Sequence, residues 1–312
     1  MSEKVKAHLA LFLVNSLYGA NNIIAKDVMP TYLTPNVFIS FRVLGATLLF
    51  WLVSMFTKIE RVAKKDLFYL AICAVFGVTI NQLCFFHGLS RSSAINSGII
   101  MTLNPILVAI MAIFILKEKA NSIKLIGIVL GAGGAIFLAL QSNGKDGSTL
   151  LGDVLLFINA ASYAVYLIMV KPIMQKYKAL TVTTWVFTFG AIYVLLFPGT
   201  IMDLSKTDFS IITTDSWFRI GFVIVGVTFM TYLLTMYAMK FVSATVTSTY
   251  IYLQPVLVII FAYLFYQIGW SADNTKSITA VKIMWMLVIF LGVYLVVRSE
   301  GIDKKIRHRK LK

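Results

Sequence analysis

The sequence predicts an all-α integral membrane protein with ten transmembrane helices arranged as two inverted five-helix repeats. Three observations carry that prediction. Only 13% of the 312 residues are charged while 59% are hydrophobic, and the mean hydropathy is +0.85. A water-soluble domain keeps roughly a quarter of its residues charged to solvate its surface, so this exterior suits lipid. The apolar residues also gather into ten stretches, each near the roughly 20 residues that a helix needs to cross a bilayer core of about 30 Å. Finally, the second five stretches echo the first five.

The stretches run approximately over 7–26, 35–56, 67–88, 93–116, 122–141, 150–170, 180–198, 217–239, 243–266 and 280–298. The first has some features of a secretory signal, because Lys4 and Lys6 precede it and Tyr18-Gly19-Ala20 offers small residues. Asn15, Ser16, Asn21 and Asn22 make it too polar for a signal core, so it is read as a retained helix. Cys73 and Cys84 sit about three turns apart on one stretch, roughly 16 Å, too far for a disulfide. They read as lipid- or core-facing hydrophobes. No zinc or c-type haem spacing occurs, and neither cofactor nor metal is expected.

The net charge of +15 would suit a nucleic-acid partner if it formed one patch. Instead the basic residues sit in short runs between apolar stretches, as topology determinants do. Twenty of the 28 Lys and Arg fall on the side shared by both termini, seven fall on the other side, and Arg42 lies inside a helix. That asymmetry predicts cytoplasmic termini, with lipid and a small-molecule substrate as partners and no nucleic acid. The oligomeric state stays open, a monomer included.

Ser93-Ala94 and Asn104-Pro105-Ile106-Leu107-Val108 recur at an offset of 150 as Ser243-Ala244 and Gln254-Pro255-Val256-Leu257-Val258. Gly77-Val78-Thr79 matches Gly226-Val227-Thr228, Tyr18-Gly19 with Lys26 matches Tyr163-Ala164 with Lys171, and Lys124 with Gly134 matches Lys282 with Gly292. The expected units are 1–141, 150–298 and a basic cytoplasmic tail, 299–312. Five helices is an odd number, so the second unit enters the membrane from the opposite side. Such inverted repeats are widespread in secondary transporters, with the substrate near the midplane where the halves meet.

Tyr18-Gly19-Ala20-Asn21 with Lys26, Arg42, Ser93-Ala94…Asn104-Pro105, Lys117-Glu118 and the glycines 127, 131, 133 and 134 resemble the drug/metabolite transporter superfamily. Together they are similar to its EamA-type domain, present twice and covering almost the whole chain. The resemblance implies an exporter or exchanger of amino acids, related metabolites or drugs in a bacterial inner membrane. Two positions depart from symmetry. The second copy has no arginine matching Arg42, and Gln267 or Ile268 takes the place of Glu118.

Arg42 lies about seven residues, roughly 10 Å, inside its helix. It fits an anion site for a substrate carboxylate, or else a side chain that snorkels or binds backbone carbonyls. All thirteen carboxylates fall at helix ends or in loops, and His87 sits near a helix end. That favours facilitated diffusion or exchange over proton coupling. Ser97, Met101, Asn104 and Val108 share one helical face, as do Thr247, Tyr250, Ile251 and Gln254. With Tyr18, Asn22, Asn81, Gln82, Tyr163, Tyr166, Thr231 and Tyr232 they make a candidate pocket of amides and aromatics, suited to amino acids or related zwitterions. Each such residue also has a plainer reading as a hydrogen bond between helices. Pro105 and Pro255 are expected to kink their helices. Lys26 and Lys171 read either as snorkelling cations or as gate residues, and Gly127 with Gly131 as a close helix contact.

Drug or nucleobase-type export by the same fold remains the alternative. A membrane-embedded enzyme would need a nucleophile, metal ligands or paired carboxylates at depth, and a channel a filter or charged ring. Neither pattern appears, and no catalytic residue is expected.

Overall fold

The structure, a computed structural model, describes residues 2–57, 60–116, 122–140, 148–242, 244–275 and 278–310. Lys58, Lys117, Glu118, Lys119, Lys145, Ser243 and Lys276, used in the charge and repeat arguments, lie outside the described residues. The chain forms α1 (Glu3–Val28), α2 (Pro35–Phe56), α3 (Lys64–Ser90), α4 (Ala94–Met101), α5 (Asn104–Leu116) and α6 (Ser122–Leu140). After these come α7 (Leu150–Met174), α8 (Ala179–Leu196), the short α9 (Pro198–Lys206), α10 (Thr214–Ala238), α11 (Ala244–Thr249), α12 (Leu253–Gln267) and α13 (Ala280–Lys310).

Local chemistry sets the starts. Ser2, Thr34, Ser93, Thr149 and Thr213 each precede a helix and accept a first-turn backbone N–H with the side-chain oxygen, a cap that contributes about 1 kcal/mol. Proline places the interruptions. Pro105 has no N–H and crowds the carbonyl four residues back, and the chain stops being helical after Met101 and resumes at Asn104. Before Pro255, Tyr250–Tyr252 tightens into a 3₁₀ turn instead.

Among the described residues, seven helices are long and apolar enough to cross a membrane, and Ser122–Leu138 and Ala280–Val296 are shorter apolar helices. The first helix has the length, 26 residues, but its asparagines dilute its hydropathy. The last helix continues through 299–310 instead of ending at 298. No strand occurs among the described residues.

The molecule is apolar outside and polar at its centre. Leu48, Met55, Phe56, Phe68, Phe114, Val129, Phe218 and Ile268 are exposed, whereas Asn15, Asn21, Asn22, Arg42, Asn81, Gln82, Asn104, Asn159 and Gln254 are buried. An apolar surface this extensive marks contact with lipid. The principal helix packings join the two halves: α1 with α10 and α12, α2 with α8 and α10, α3 and α5 with α7, and α6 with α13. The α6–α13 contact uses the predicted glycines. A Cβ on Gly127 would lie 2.4 Å from the Gly292 carbonyl, and one on Gly292 2.6 Å from the Gly131 nitrogen.

Two π-wound segments, Val75–Ile80 inside α3 and Val223–Met230 inside α10, have no counterpart in the sequence-based expectations. In each, a threonine hydroxyl donates to the carbonyl five residues back, Thr79 to Ala74 at 3.4 Å and Thr228 to Val223 at 2.8 Å. Such insertions recur at functional sites.

Candidate functional site

The buried polar residues converge on one central cavity. Its walls enclose about 560 Å³ of atom-free space, the opening to solvent included. From the first half come Tyr18, Asn21 and Asn22 of α1, Arg42 of α2, Asn81, Gln82 and Phe85 of α3, Met101 ending α4 and Asn104 starting α5. From the second come Asn159 and Tyr163 of α7, Tyr232 of α10, Ile251 of the 3₁₀ turn and Gln254 of α12.

Most of these side chains are held by bonds that cross between the halves. Asn104 donates to the Ala160 carbonyl at 3.0 Å, and its repeat mate Gln254 donates to Asn15 Oδ1 at 3.1 Å. Gln82 donates to the Tyr232 hydroxyl at 3.1 Å, which donates to the Gly77 carbonyl at 2.8 Å. Asn159 donates to the Asn81 carbonyl at 2.8 Å. Bonds of this kind between membrane helices contribute about 0.6 to 2 kcal/mol each, enough in sum to fix the wall. Gly77 has its own packing reason, since a Cβ there would lie 2.4 Å from the Tyr166 ring.

Arg42 is the one charged residue on this wall among the described residues. It is 3% exposed and turned inward, not snorkelling. Its Nε donates to Thr228 Oγ1 at 2.6 Å, and its Cζ lies 4.6 Å from the centre of the Phe86 ring. Two buried amide oxygens on the wall, Asn21 Oδ1 and Asn104 Oδ1, accept no hydrogen bond. The wall residues therefore include one cation and two amide oxygens that are buried and unpaired.

The cavity gathers Tyr18, Asn22, Arg42, Asn81, Gln82, Asn104, Tyr163, Tyr232 and Gln254 from the predicted set, and Met101 and Ile251 from the two predicted faces. Six predicted residues stand behind or away from the wall, the buried Val108 and Thr247 among them. Ser97 donates to Asn22 Oδ1 at 2.7 Å, and Thr231 donates to the Tyr18 hydroxyl at 3.1 Å. Tyr166 is fully buried against Gly77 with its hydroxyl donating to Met236 Sδ, and Tyr250 turns to His8 at 2.7 Å. Lys26 donates to the carbonyls of Leu89 and Ser92 at the end of α3, while Lys171 sits half-buried in the last turns of α7.

Sequence reasoning missed Asn21, Phe85 and Asn159. Asn159 had a usable signal, because it lies one helical turn before Tyr163 on the same face. Asn21 enters the sequence reading as polarity against a signal peptide and as part of the Tyr18-Gly19-Ala20-Asn21 motif, not as a pocket residue. Phe85 carries no signal, being one of 23 phenylalanines.

The EamA-like transporter family matches residues 5–140 and, a second time, 150–298. The chain is 25% identical over 266 residues to a Bacillus subtilis protein named uncharacterized transporter YetK, covering 83% of this chain and 79% of that one. An uncharacterized transporter of Archaeoglobus fulgidus is 24% identical over 300 residues, covering 95% and 98% of the two chains. A WAT1-related chloroplastic protein of Arabidopsis thaliana is 26% identical over 303 residues, covering 92% and 68%. A crystal structure with 13% identity superposes with a TM-score of 0.61 over 95% of this chain and 96% of the other, a likeness of fold.

Proposed function

The chain belongs to the EamA-like transporter family, which matches it as two repeats, and from that premise we propose that it is a facilitative carrier or exchanger of small carboxylate-bearing metabolites, amino acids and related zwitterions foremost. It spans the membrane ten times, with inverted five-helix halves at 1–141 and 150–298 and a basic tail at 299–312. Both termini lie in the cytoplasm of a bacterial cell, and the central cavity opens alternately to each side.

The matched cross-half bonds support the inverted arrangement. Asn104 and Gln254 correspond at an offset of 150, and the residues they bind, 160 and 15, correspond at 145. Each half therefore reaches into the other at the same place. Two such halves can exchange roles at little cost in energy, which is the physical basis of alternating access.

The observation that carries the substrate reading is Arg42, a buried guanidinium facing the cavity with no carboxylate on the wall among the described residues. A substrate carboxylate would complete it through charge-assisted bonds. The unpaired oxygens of Asn21 and Asn104 suit an ammonium, because a buried acceptor left unsatisfied costs about 1–3 kcal/mol. The lack of a wall carboxylate supports exchange over proton coupling.

Counterflow of radiolabelled amino acids into proteoliposomes tests the reading. Exchange independent of a proton gradient is expected. Removal of the charge-assisted bonds in Arg42→Ala should weaken apparent affinity by about 2–3 kcal/mol, roughly 30- to 150-fold. Silence across a panel of amino acids would remove that substrate class, and strict dependence on the gradient would remove the facilitative mechanism.

A further inference from the structure

Thr228 is fully buried inside the π-wound part of α10 and is absent from the cavity wall, yet it touches Arg42. Its hydroxyl donates to the Val223 carbonyl five residues back and accepts from Arg42 Nε. A hydroxyl has one proton and two lone pairs, so both bonds form together. The second bond engages the guanidinium through Nε alone. Among the described residues, the two terminal nitrogens of Arg42 make no hydrogen bond. Phe86 covers the face of the group. The arginine is thus gripped at its neck and face while its donor fork stays free.

The molecule contains its own control. Thr79 is the repeat mate of Thr228 at an offset of 149, and it makes the same bond five residues back inside the matching π segment of α3. No arginine is bonded to it among the described residues. The two threonines share the local backbone contact and differ in the guanidinium.

We propose that Thr228 is the positioning residue for carboxylate recognition: the π segment presents its hydroxyl so that Arg42 is held with both terminal nitrogens facing the cavity before substrate arrives. This rests on the reading of Arg42 as carboxylate anchor. An arginine side chain has four rotatable bonds, and freezing them in advance leaves less ordering to be done on binding. The arrangement also ties recognition to the winding of α10. Shifting the segment by one residue turns a side chain by about 100°, which parts Thr228 from Arg42.

The test uses the full-length protein in detergent, labelled with ¹⁵N-arginine and assigned with Arg42→Lys. Exchange of the Arg42 Nε proton with water is measured by NMR in the wild type, Thr228→Val, Thr228→Ser and Thr79→Val. Each is then titrated with a panel of L-amino acids and the corresponding amides. Exchange should be slow in the wild type, Thr228→Ser and Thr79→Val, and at least tenfold faster in Thr228→Val. The preference for acid over amide should fall at least tenfold in Thr228→Val and stay unchanged in Thr79→Val. Unchanged exchange in Thr228→Val, or equal losses in Thr79→Val, overturns the proposal. A wild type with a protected Nε proton but no preference for the acids overturns the anchor reading instead, and the positioning role with it.

Discussion

At the end of the bundle where α1 finishes and α10 begins, Arg219 donates to Asp27 at 2.9 Å, to Asp215 at 2.6 Å and to the Trp270 carbonyl, with its Cζ 4.6 Å from the Trp270 ring centre. Gly269, with φ of 69°, makes the turn after α12 that leads into Trp270. At the opposite end, Asp66 in the first turn of α3 accepts from Lys176 at 3.1 Å and from the Tyr177 hydroxyl at 2.8 Å, just beyond α7. The two fastenings occupy corresponding places in the repeat, although their cations do not correspond. Asp66 matches Asp215 at an offset of 149, and Tyr177 matches Tyr32 at 145, which borders the same recess as Asp27, Asp215 and Arg219. Each joins the first helix of one half to the third helix of the other.

Their surroundings differ. The carboxylates are similarly covered, Asp27 at 20% and Asp66 at 14% exposed, but Arg219 is 9% exposed whereas Lys176 is 56% exposed. Water screens an exposed pair to a value near zero to 1 kcal/mol. Removing one partner of a buried pair costs about 3–5 kcal/mol because a charge is left unsolvated. The same repeat thus supplies a strong fastening at one end and a weak one at the other, and burial decides which is which. For the carrier proposed above, opening the Arg219 end is the costlier movement.

Three measurements would break or sharpen this contrast. The largest effect is expected from Arg219→Ala, which leaves Asp27 part-buried without its cation. Allowing for its partial exposure, it should lose about 2–3 kcal/mol, read as a lower melting temperature in detergent. No change in melting would mean that the cluster is not a fastening at all. A smaller effect is expected when the pair is exchanged, Asp27→Arg with Arg219→Asp. Part of the loss should return, because the Coulombic contact survives while the Trp270 stacking does not. A double variant no better than Arg219→Ala would show that Trp270, not Asp27, holds this end. The smallest effect belongs to Asp66→Asn, expected to cost under about 1 kcal/mol and less at high salt. A loss as large as that of Arg219→Ala would erase the asymmetry.

The candidate site was legible where a helix is regular and obscure where it is not. Met101 and Asn104 were found as one face of a predicted helix, and both line the cavity. The matching face in the second half placed Tyr250 beside Ile251 and Gln254. The 3₁₀ turn ahead of Pro255 winds more tightly than 3.6 residues per turn and directs Tyr250 to His8 instead. Arg42 was legible as an anomaly of charge in an apolar stretch. Its partner Thr228 was not, since a π insertion leaves no periodic mark and one more threonine in an apolar helix is ordinary.

The sequence by itself determined the class of solvent, the helical character, the repeat and the kinds of side chain available for a central site. These follow from composition and from the period of apolar residues, which act locally and add up along the chain. Which amides face the cavity, which stand behind it, and which of two matched fastenings is buried were decided only by the tertiary structure. Burial and hydrogen bonding at those positions depend on residues up to 239 positions away, and on helix irregularities that packing between the halves selects.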